Sequence, residues 1–188
     1  MATTRPLRAD ARRNRARLLD VAVRALSRDG PDVTLEAIAK DAGVGIGTLY
    51  RHFPTREALI DAAYRNELDR LCDSVNDLVN EMPPDQALRV WMDRFVDYMT
   101  TKRGMGDALR ALIASGGDPF SRSRDRLTAA VTTLLRTGAS AGTLRSDVTP
   151  DDVLVSLSGL SIATADRHDR GQVSRLLDLL MDGLRLHH

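Results

Sequence analysis

Apolar residues recur every three or four positions along most of this chain, and no stretch of useful length alternates with the two-residue period of a half-buried strand. The pattern predicts an all-α protein of about nine helices. A first helix is expected from about Ala9 to Asp29, with Leu18, Leu19, Ala22, Val23 and Leu26 inward and Gly30-Pro31 as its stop. A fourth helix, opening at Thr55, carries the stripe Leu59, Ile60, Ala63, Tyr64, Leu68, Leu71, Val75, Leu78 and Val79. Pro83-Pro84 closes it, so about 27 residues span roughly 40 Å at 1.5 Å per residue. Further helices are expected over about 84–102, 105–115, 119–141, 149–168 and 171–186, punctuated by Gly104, Gly116 to Pro119, Gly142, Pro150 and Gly171.

Between the first and fourth helices the spacing tightens. Residues Thr34 to Leu59 read TLEAIAKDAGVGIGTLYRHFPTREAL. The Thr34 hydroxyl can cap the free backbone amides of Leu35 to Ala37, and Leu35, Ile38, Ala39 and Ala42 share one face. Gly43 stands where a helix C-terminus calls for a left-handed backbone, which glycine adopts without steric cost. Val44 packs into the corner, and a second short helix runs from about Gly45 to Phe53. Ala39 lets that helix cross closely, and Leu49 points back into the same small core. Small residue, turn glycine and inward leucine at this spacing form a helix-turn-helix, the motif that lays its second helix in the DNA major groove. Pro54 ends that helix and divides the chain into a DNA-binding domain, 1–54, and a second domain, 55–188.

The residues from Gly45 to His52 cover only about 12 Å of helix, so one subunit reaches few base pairs. The exposed set is expected to be Gly45, Ile46, Gly47, Thr48, Arg51 and His52, with Leu49 and Phe53 held in the core. Gly45 and Gly47 allow close approach of the backbone while weakening the isolated helix by about 1 kcal/mol each. Thr48 suits a thymine methyl or a base-edge acceptor, and Arg51 a bidentate pair with guanine. His52 is read either as a DNA contact or as a solvated surface histidine. So short a reading head implies a homodimer on palindromic double-stranded DNA. The dimer surface is expected on the last two long helices, from the stripes Val153, Leu157, Leu160 and Val173, Leu177, Leu180, Leu184, part of each facing the subunit's own core.

The segment GIGTLYRHFPTREALI resembles the signature of the tetracycline-repressor (TetR) family of bacterial transcription regulators. The matching positions are Thr34, Ile38, Ala39, Ala42, Gly43, Val44, Leu49, Tyr50, Phe53 and Arg56, within a likeness that covers residues 14–64. RSDVTPDDVLVSLSGL, from Arg145 to Leu160, is similar to the SbtR-like C-terminal subgroup. The resemblance implies a helix-turn-helix head followed by a helical ligand-binding and dimerisation bundle. It implies phosphate contacts at Tyr50, Arg56 and Thr34 with its helix-terminal amides; for Tyr50 a half-buried packing role stands beside that one. It implies a small-molecule effector held between helices 4 and 7, where Trp91, Met92, Phe95, Tyr98, Met99, Met105, Leu109, Leu112, Phe120 and Leu127 gather the bulky side chains. The same residues also read as plain core. The implied function is a dimeric repressor released from its operator by the effector, with no cofactor.

Charge sharpens this picture. The net charge of +1 hides eleven Lys+Arg against seven Asp+Glu in residues 1–60, and sixteen against nineteen in residues 61–188. Arg5, Arg8, Arg12, Arg13, Arg15 and Arg17 fall in the first seventeen positions with only Asp10 against them, which suits a phosphate-binding head. The single cysteine, Cys72, excludes an internal disulfide and suits a reducing cytosol. No apolar run approaches the roughly 20 residues of a membrane span, and no signal-peptide pattern opens the chain, so a cytoplasmic protein is expected. An enzyme is not expected. The histidines His52, His168, His187 and His188 are scattered, Ser115 lacks the flanks of a nucleophile elbow, and Asp166 to Asp169 reads as a charged inter-helix loop that closes no metal site. Two alternatives remain: a same-fold activator answering to a protein partner, and a helical small-molecule carrier with a vestigial DNA head.

Overall fold

A computed structural model describes residues 4–165 and 169–186, the side chains of 4–9 and of Pro31 excepted. Nine α-helices occur among the described residues: α1 (Thr4–Asp29), α2 (Leu35–Asp41), α3 (Ile46–His52), α4 (Arg56–Glu81), α5 (Pro84–Gly104), α6 (Gly106–Ala114), α7 (Ser123–Ser140), α8 (Pro150–Ala163) and α9 (Arg170–Leu184). A 3-10 turn, Gly30–Asp32, follows α1. Three boundaries differ from the expected ones. Helix α1 begins at Thr4, and Pro6 is accommodated because it lies in the first turn, where amides have no helical partner to lose. Helix α7 begins only at Ser123, since Gly116 takes a φ of +91° and the chain turns again at Phe120, whose carbonyl accepts from the Ser123 amide at 3.0 Å. Helix α8 stops at Ala163, and the Leu160 carbonyl accepts from both the Thr164 amide at 3.0 Å and the Thr164 hydroxyl at 2.8 Å.

The described residues form two compact units. The first holds the chain up to Glu67 together with Thr101–Pro119. Its helix-turn-helix rests on Leu18, Leu19, Ala22 and Leu26 of α1, Ile38 and Ala39 of α2, Leu49 of α3 and Phe53, none more than 2% exposed. Each large apolar side chain buried this way is worth about 1.5–3 kcal/mol, so the small head is stabilised by few residues. The segment from Thr101 belongs to it because α5 ends against α1. A Cβ on Gly104 would stand 2.8 Å from Ser27 Cβ and 3.0 Å from Ser27 Cα, a space that only glycine fits. Helix α6 then packs on the 3-10 turn. The breaker at Pro54 thus ends the recognition helix, while the packing boundary falls later, inside α4.

The second unit, Leu68–Thr100 with the described chain from Phe120, is a helical bundle. Leu71 and Leu78 of α4, Leu88, Trp91, Met92 and Phe95 of α5, Val131 and Leu134 of α7, Leu157 of α8 and Leu177 and Met181 of α9 are buried. The Trp91 indole N–H donates to the Leu71 carbonyl at 3.1 Å, which satisfies its one polar atom inside the core. Arg126 of α7 bridges Asp69 and Asp73 of α4 at 2.7 and 2.8 Å, and Arg89 of α5 reaches Asp178 of α9 at 2.7 Å. The end of α9 is fastened to the α7–α8 loop by backbone bonds from Arg145 to Leu184 and from Leu186 to Thr143. That loop returns over α7 at Gly138, where a Cβ would lie 2.3 Å from Leu144 Cδ1 and 3.0 Å from Leu144 Cβ.

Two outcomes are expected. Gly138→Ala should destabilise the protein by about 1–3 kcal/mol in chemical denaturation, because Leu144 is itself buried and has nowhere to move. Burial pushes the Cys72 thiol up to about 11, with Arg126 opposing the shift only in part. Alkylation of the native protein near pH 8 should therefore be slow and become fast on unfolding. With the folded value above the unfolded one near 9, the native state holds its proton more tightly, so stability should fall as pH rises from 9 towards 11.

Candidate nucleic-acid interface

Helix α2 opens at Thr34, whose Oγ1 accepts from the Ala37 amide at 3.1 Å. It closes in a Schellman turn: the Val44 amide donates to the Ala39 carbonyl and the Gly43 amide to the Lys40 carbonyl, both at 3.0 Å. This geometry needs the left-handed Gly43, observed at φ +65°. Gly45, extended at φ −70° and ψ 148°, then starts α3, its carbonyl accepting from the Thr48 amide at 2.8 Å. Leu49, fully buried, and Phe53, 2% exposed, anchor α3 to the head.

The opposite side of α3 is open. Gly45, Ile46, Gly47, Tyr50 and Arg51 are exposed, while Thr48 and His52 are half-buried. Tyr50 is 46% exposed, so its ring lies outside the core. A Cβ added at Gly45 or Gly47 would meet nothing within 4 Å. The chain's own packing therefore does not require glycine at either position.

Thr34 and Arg56, far apart in sequence, come together. Arg56 is half-buried and its guanidinium donates to the carbonyl of Val33, the residue before the α2 cap. The first turn of α4, capped by the Thr55 hydroxyl accepting from the Ala58 amide at 3.1 Å, is thereby tied to the start of α2. Two of the N-terminal arginines that the charge pattern ascribes to a phosphate-binding head also stand here. Arg15 lies over the Phe53 ring, 5.3 Å from its centroid, and Arg17 lies beside Gly43. Their charge was visible in the sequence; their place beside the motif depends on how α1 packs.

Of the ten residues expected to line an effector pocket, Met92 is buried in the core of the second unit, and the other nine divide between the two units. Trp91, Phe95, Tyr98, Met99, Phe120 and Leu127 lie in the second, and Met105, Leu109 and Leu112 in the first. Met99, Phe120 and Leu127 are half-buried and the other six buried. Trp91, Phe95 and Tyr98 run as a tilted aromatic series, with centroids 5.6 and 6.1 Å apart. A separate cavity of about 280 Å³ lies in the second unit between α7 and the 145–150 loop, lined by Leu135, Arg136, Ala139, Ser140 and Val148 among others. None of the nine lines it.

Of the residues expected at a dimer surface, Val153, Leu157, Val173, Leu177 and Leu184 are buried within the protomer, and Leu160 and Leu180 are half-buried. The outward apolar positions of these helices are Val155 and Ile162 on α8 and Leu179 on α9, 64–68% exposed. Asp166 to His168, His187 and His188 lie outside the described residues. Among the described residues no group of three or more His, Cys, Asp or Glu could hold a metal ion, and no helix is long and apolar enough to cross a membrane.

Comparison with known proteins places these features in a family. Residues 18–63 match the model for bacterial regulatory proteins of the tetR family, and residues 83–186 match the SbtR-like transcriptional regulator C-terminal domain. The crystal structure of a TetR transcriptional regulator from Streptomyces coelicolor is 53% identical, with a TM-score of 0.88 over 93% of this chain and 99% of that one. A TetR regulatory protein from Mycobacterium vanbaalenii is 34% identical, with a TM-score of 0.79 over 96% and 100% of the two chains. An HTH-type transcriptional regulator of Staphylococcus aureus is 36% identical over 107 residues, 56% of this chain and 58% of the relative, so the chain spans little more than half the length of the curated relatives it matches. With the model for its C-terminal domain matching more than half its length, the chain belongs to the TetR family of transcription regulators, its helix-turn-helix followed by an SbtR-like C-terminal domain.

Proposed function

We propose that this regulator is a homodimeric repressor that reads a palindromic operator through α3 and is released from it by a small-molecule effector. One observation carries the DNA side: α3 and the residue that opens it turn outward two glycines, Gly47 and Gly45, whose missing side chains nothing in the chain exploits. Gly47 lies inside the helix, where glycine costs about 1 kcal/mol, so its use makes sense where a partner's surface must come close; Gly45 caps the helix, a position glycine fills without that cost. The exposed Arg51 and the half-buried Thr48 sit on the same short helix and offer the donor and methyl chemistry of base edges. Tyr50, outside the core, and Arg56, held beside Thr34, are assigned to the phosphates.

The dimer reading rests on Val155, Ile162 and Leu179. On α8, Val155, Gly159 and Ile162 recur at i, i+4 and i+7, and a Cβ at Gly159 would meet nothing within 4 Å. On α9, Leu179 and Gly183 repeat that pattern of large and small residues. An apolar ridge with open glycines suits close helix packing against an identical ridge, as a two-fold axis requires. This surface replaces the inward stripes as the proposed interface.

The effector reading is supported by the SbtR-like domain and by the buried aromatic series Trp91, Phe95 and Tyr98. Moving an operator equilibrium from 1:99 to 99:1 takes about 5.5 kcal/mol of differential binding, and single couplings are typically about 1–3 kcal/mol. Two effectors per dimer supply such a total where one does not.

Selection of bound duplexes from a randomised pool, followed by sequencing, tests the core of the proposal. An enriched palindrome with two short half-sites is expected; a folded, dimeric protein that enriches nothing would overturn it. With the selected operator in hand, Arg51→Ala should lose about 1–3 kcal/mol of discrimination at one base of each half-site, whereas Arg56→Ala should weaken selected and unrelated duplexes alike. Ile162→Glu with Leu179→Glu should yield monomers in sedimentation analysis, with helical content retained and tight operator binding lost.

A further inference from the structure

The helix-turn-helix is only part of the basic surface of the first unit. Of the arginines that crowd the start of the chain, Arg12, Arg13, Arg15 and Arg17 have described side chains, all exposed. Arg13 is paired with Asp10. Arg15 and Arg17 have no carboxylate partner among the described residues. Each is instead positioned by the motif itself. The Arg15 guanidinium lies over the ring of Phe53, the residue that closes α3. Arg17 Nη1 lies 3.7 Å from where a Gly43 Cβ would stand, in the turn that leads into α3, while its Nη2 donates to Asn14 Oδ1 at 3.0 Å. One helix thus sets a positive charge at each end of the recognition helix.

These contacts leave hydrogen-bonding capacity unused. The contact with the Phe53 ring uses no N–H of Arg15 as a donor to an acceptor oxygen, the side chain being exposed, and Arg17 commits one N–H of five to Asn14. A packing role alone does not explain why two exposed arginines of one helix stand beside the residue that closes α3 and beside the turn that leads into it.

We infer that Arg15 and Arg17 are phosphate contacts that clamp the DNA backbone at the two ends of α3 and so fix the depth and register at which it enters the groove. The inference rests on the reading of α3 as the recognition helix. It adds to that reading a second source of affinity, from α1, that carries no sequence information.

The test uses the full-length protein, the selected operator and an unrelated duplex of equal length, with dissociation constants measured across a range of salt. Each neutralised phosphate contributes about 0.9 to the slope of log K against log salt. Arg15→Gln and Arg17→Gln should each make the dimer's slope shallower by about 1.8, weaken both duplexes by the same factor and leave the enriched half-site unchanged. Arg15→Lys and Arg17→Lys should keep the slope, because a phosphate reads charge where packing on Phe53 reads shape. Glutamine variants with the wild-type slope would overturn the inference, as would lysine variants that lose as much as the glutamines or variants that shift base preference. Wild-type protein that shows no salt-dependent duplex binding would overturn the recognition-helix reading as well, whereas an unchanged slope in variants of a binding protein overturns the clamp alone.

Discussion

The left-handed backbone at Gly43 is the constraint on which the head depends. Without it the chain has no means of satisfying the last carbonyls of α2 and reversing direction within two residues, and the Schellman pair from Val44 and Gly43 would be lost. That turn sets the crossing of α3 over α2, and the crossing sends Leu49 inward. Once Leu49 is inward, the period of the helix sends Gly47, Tyr50 and Arg51 outward. The exposed face of α3 therefore follows from one dihedral angle and one leucine. Any L side chain at residue 43 would work against the backbone by about 1–2 kcal/mol, whatever room surrounds it.

Much of this was legible in the sequence because it is local. Turn glycine, caps at Thr34 and Thr55 and the Pro54 stop act over three or four residues, and their signals do not depend on the rest of the chain. Legibility failed where a choice depends on tertiary packing. Helix α8 has apolar residues on nearly every side, so periodicity alone does not say that Val153 and Leu157 face the core while Val155 and Ile162 face out. Gly104 is a similar case. In sequence it reads as a helix stop, and only the packed chain reveals that it is where α5 meets Ser27 of α1. The arginines at 15 and 17 register as charge density in the sequence, and their relation to Phe53 and Gly43 is a fact of how α1 is placed.

The two units divide the physical tasks differently. The first is stabilised by a small apolar core and leaves charge outward on α1 and α3. The second couples α4 to α7, and α5 to α9, by arginine–aspartate bridges over a larger core. Partly exposed pairs of this kind contribute little to stability, typically under about 1 kcal/mol each. Their geometric effect is a better account of them: Arg126 reaching both Asp69 and Asp73 fixes the rotation of α4 against α7.

The chain passes between the units three times, after Glu67, after Thr100 and after Pro119. The first two passages lie inside continuous helices, α4 and α5, and the third in the turn before α7. A helix transmits displacement of one end to the other because bending it breaks backbone hydrogen bonds, whereas a turn absorbs displacement by rotating dihedrals. Within the first unit both helices are held closely: α4 through Arg56 on the Val33 carbonyl, and α5 through Gly104 against Ser27. Any ligand can shift a two-state equilibrium only by its differential affinity for the two states, so tight binding alone moves nothing.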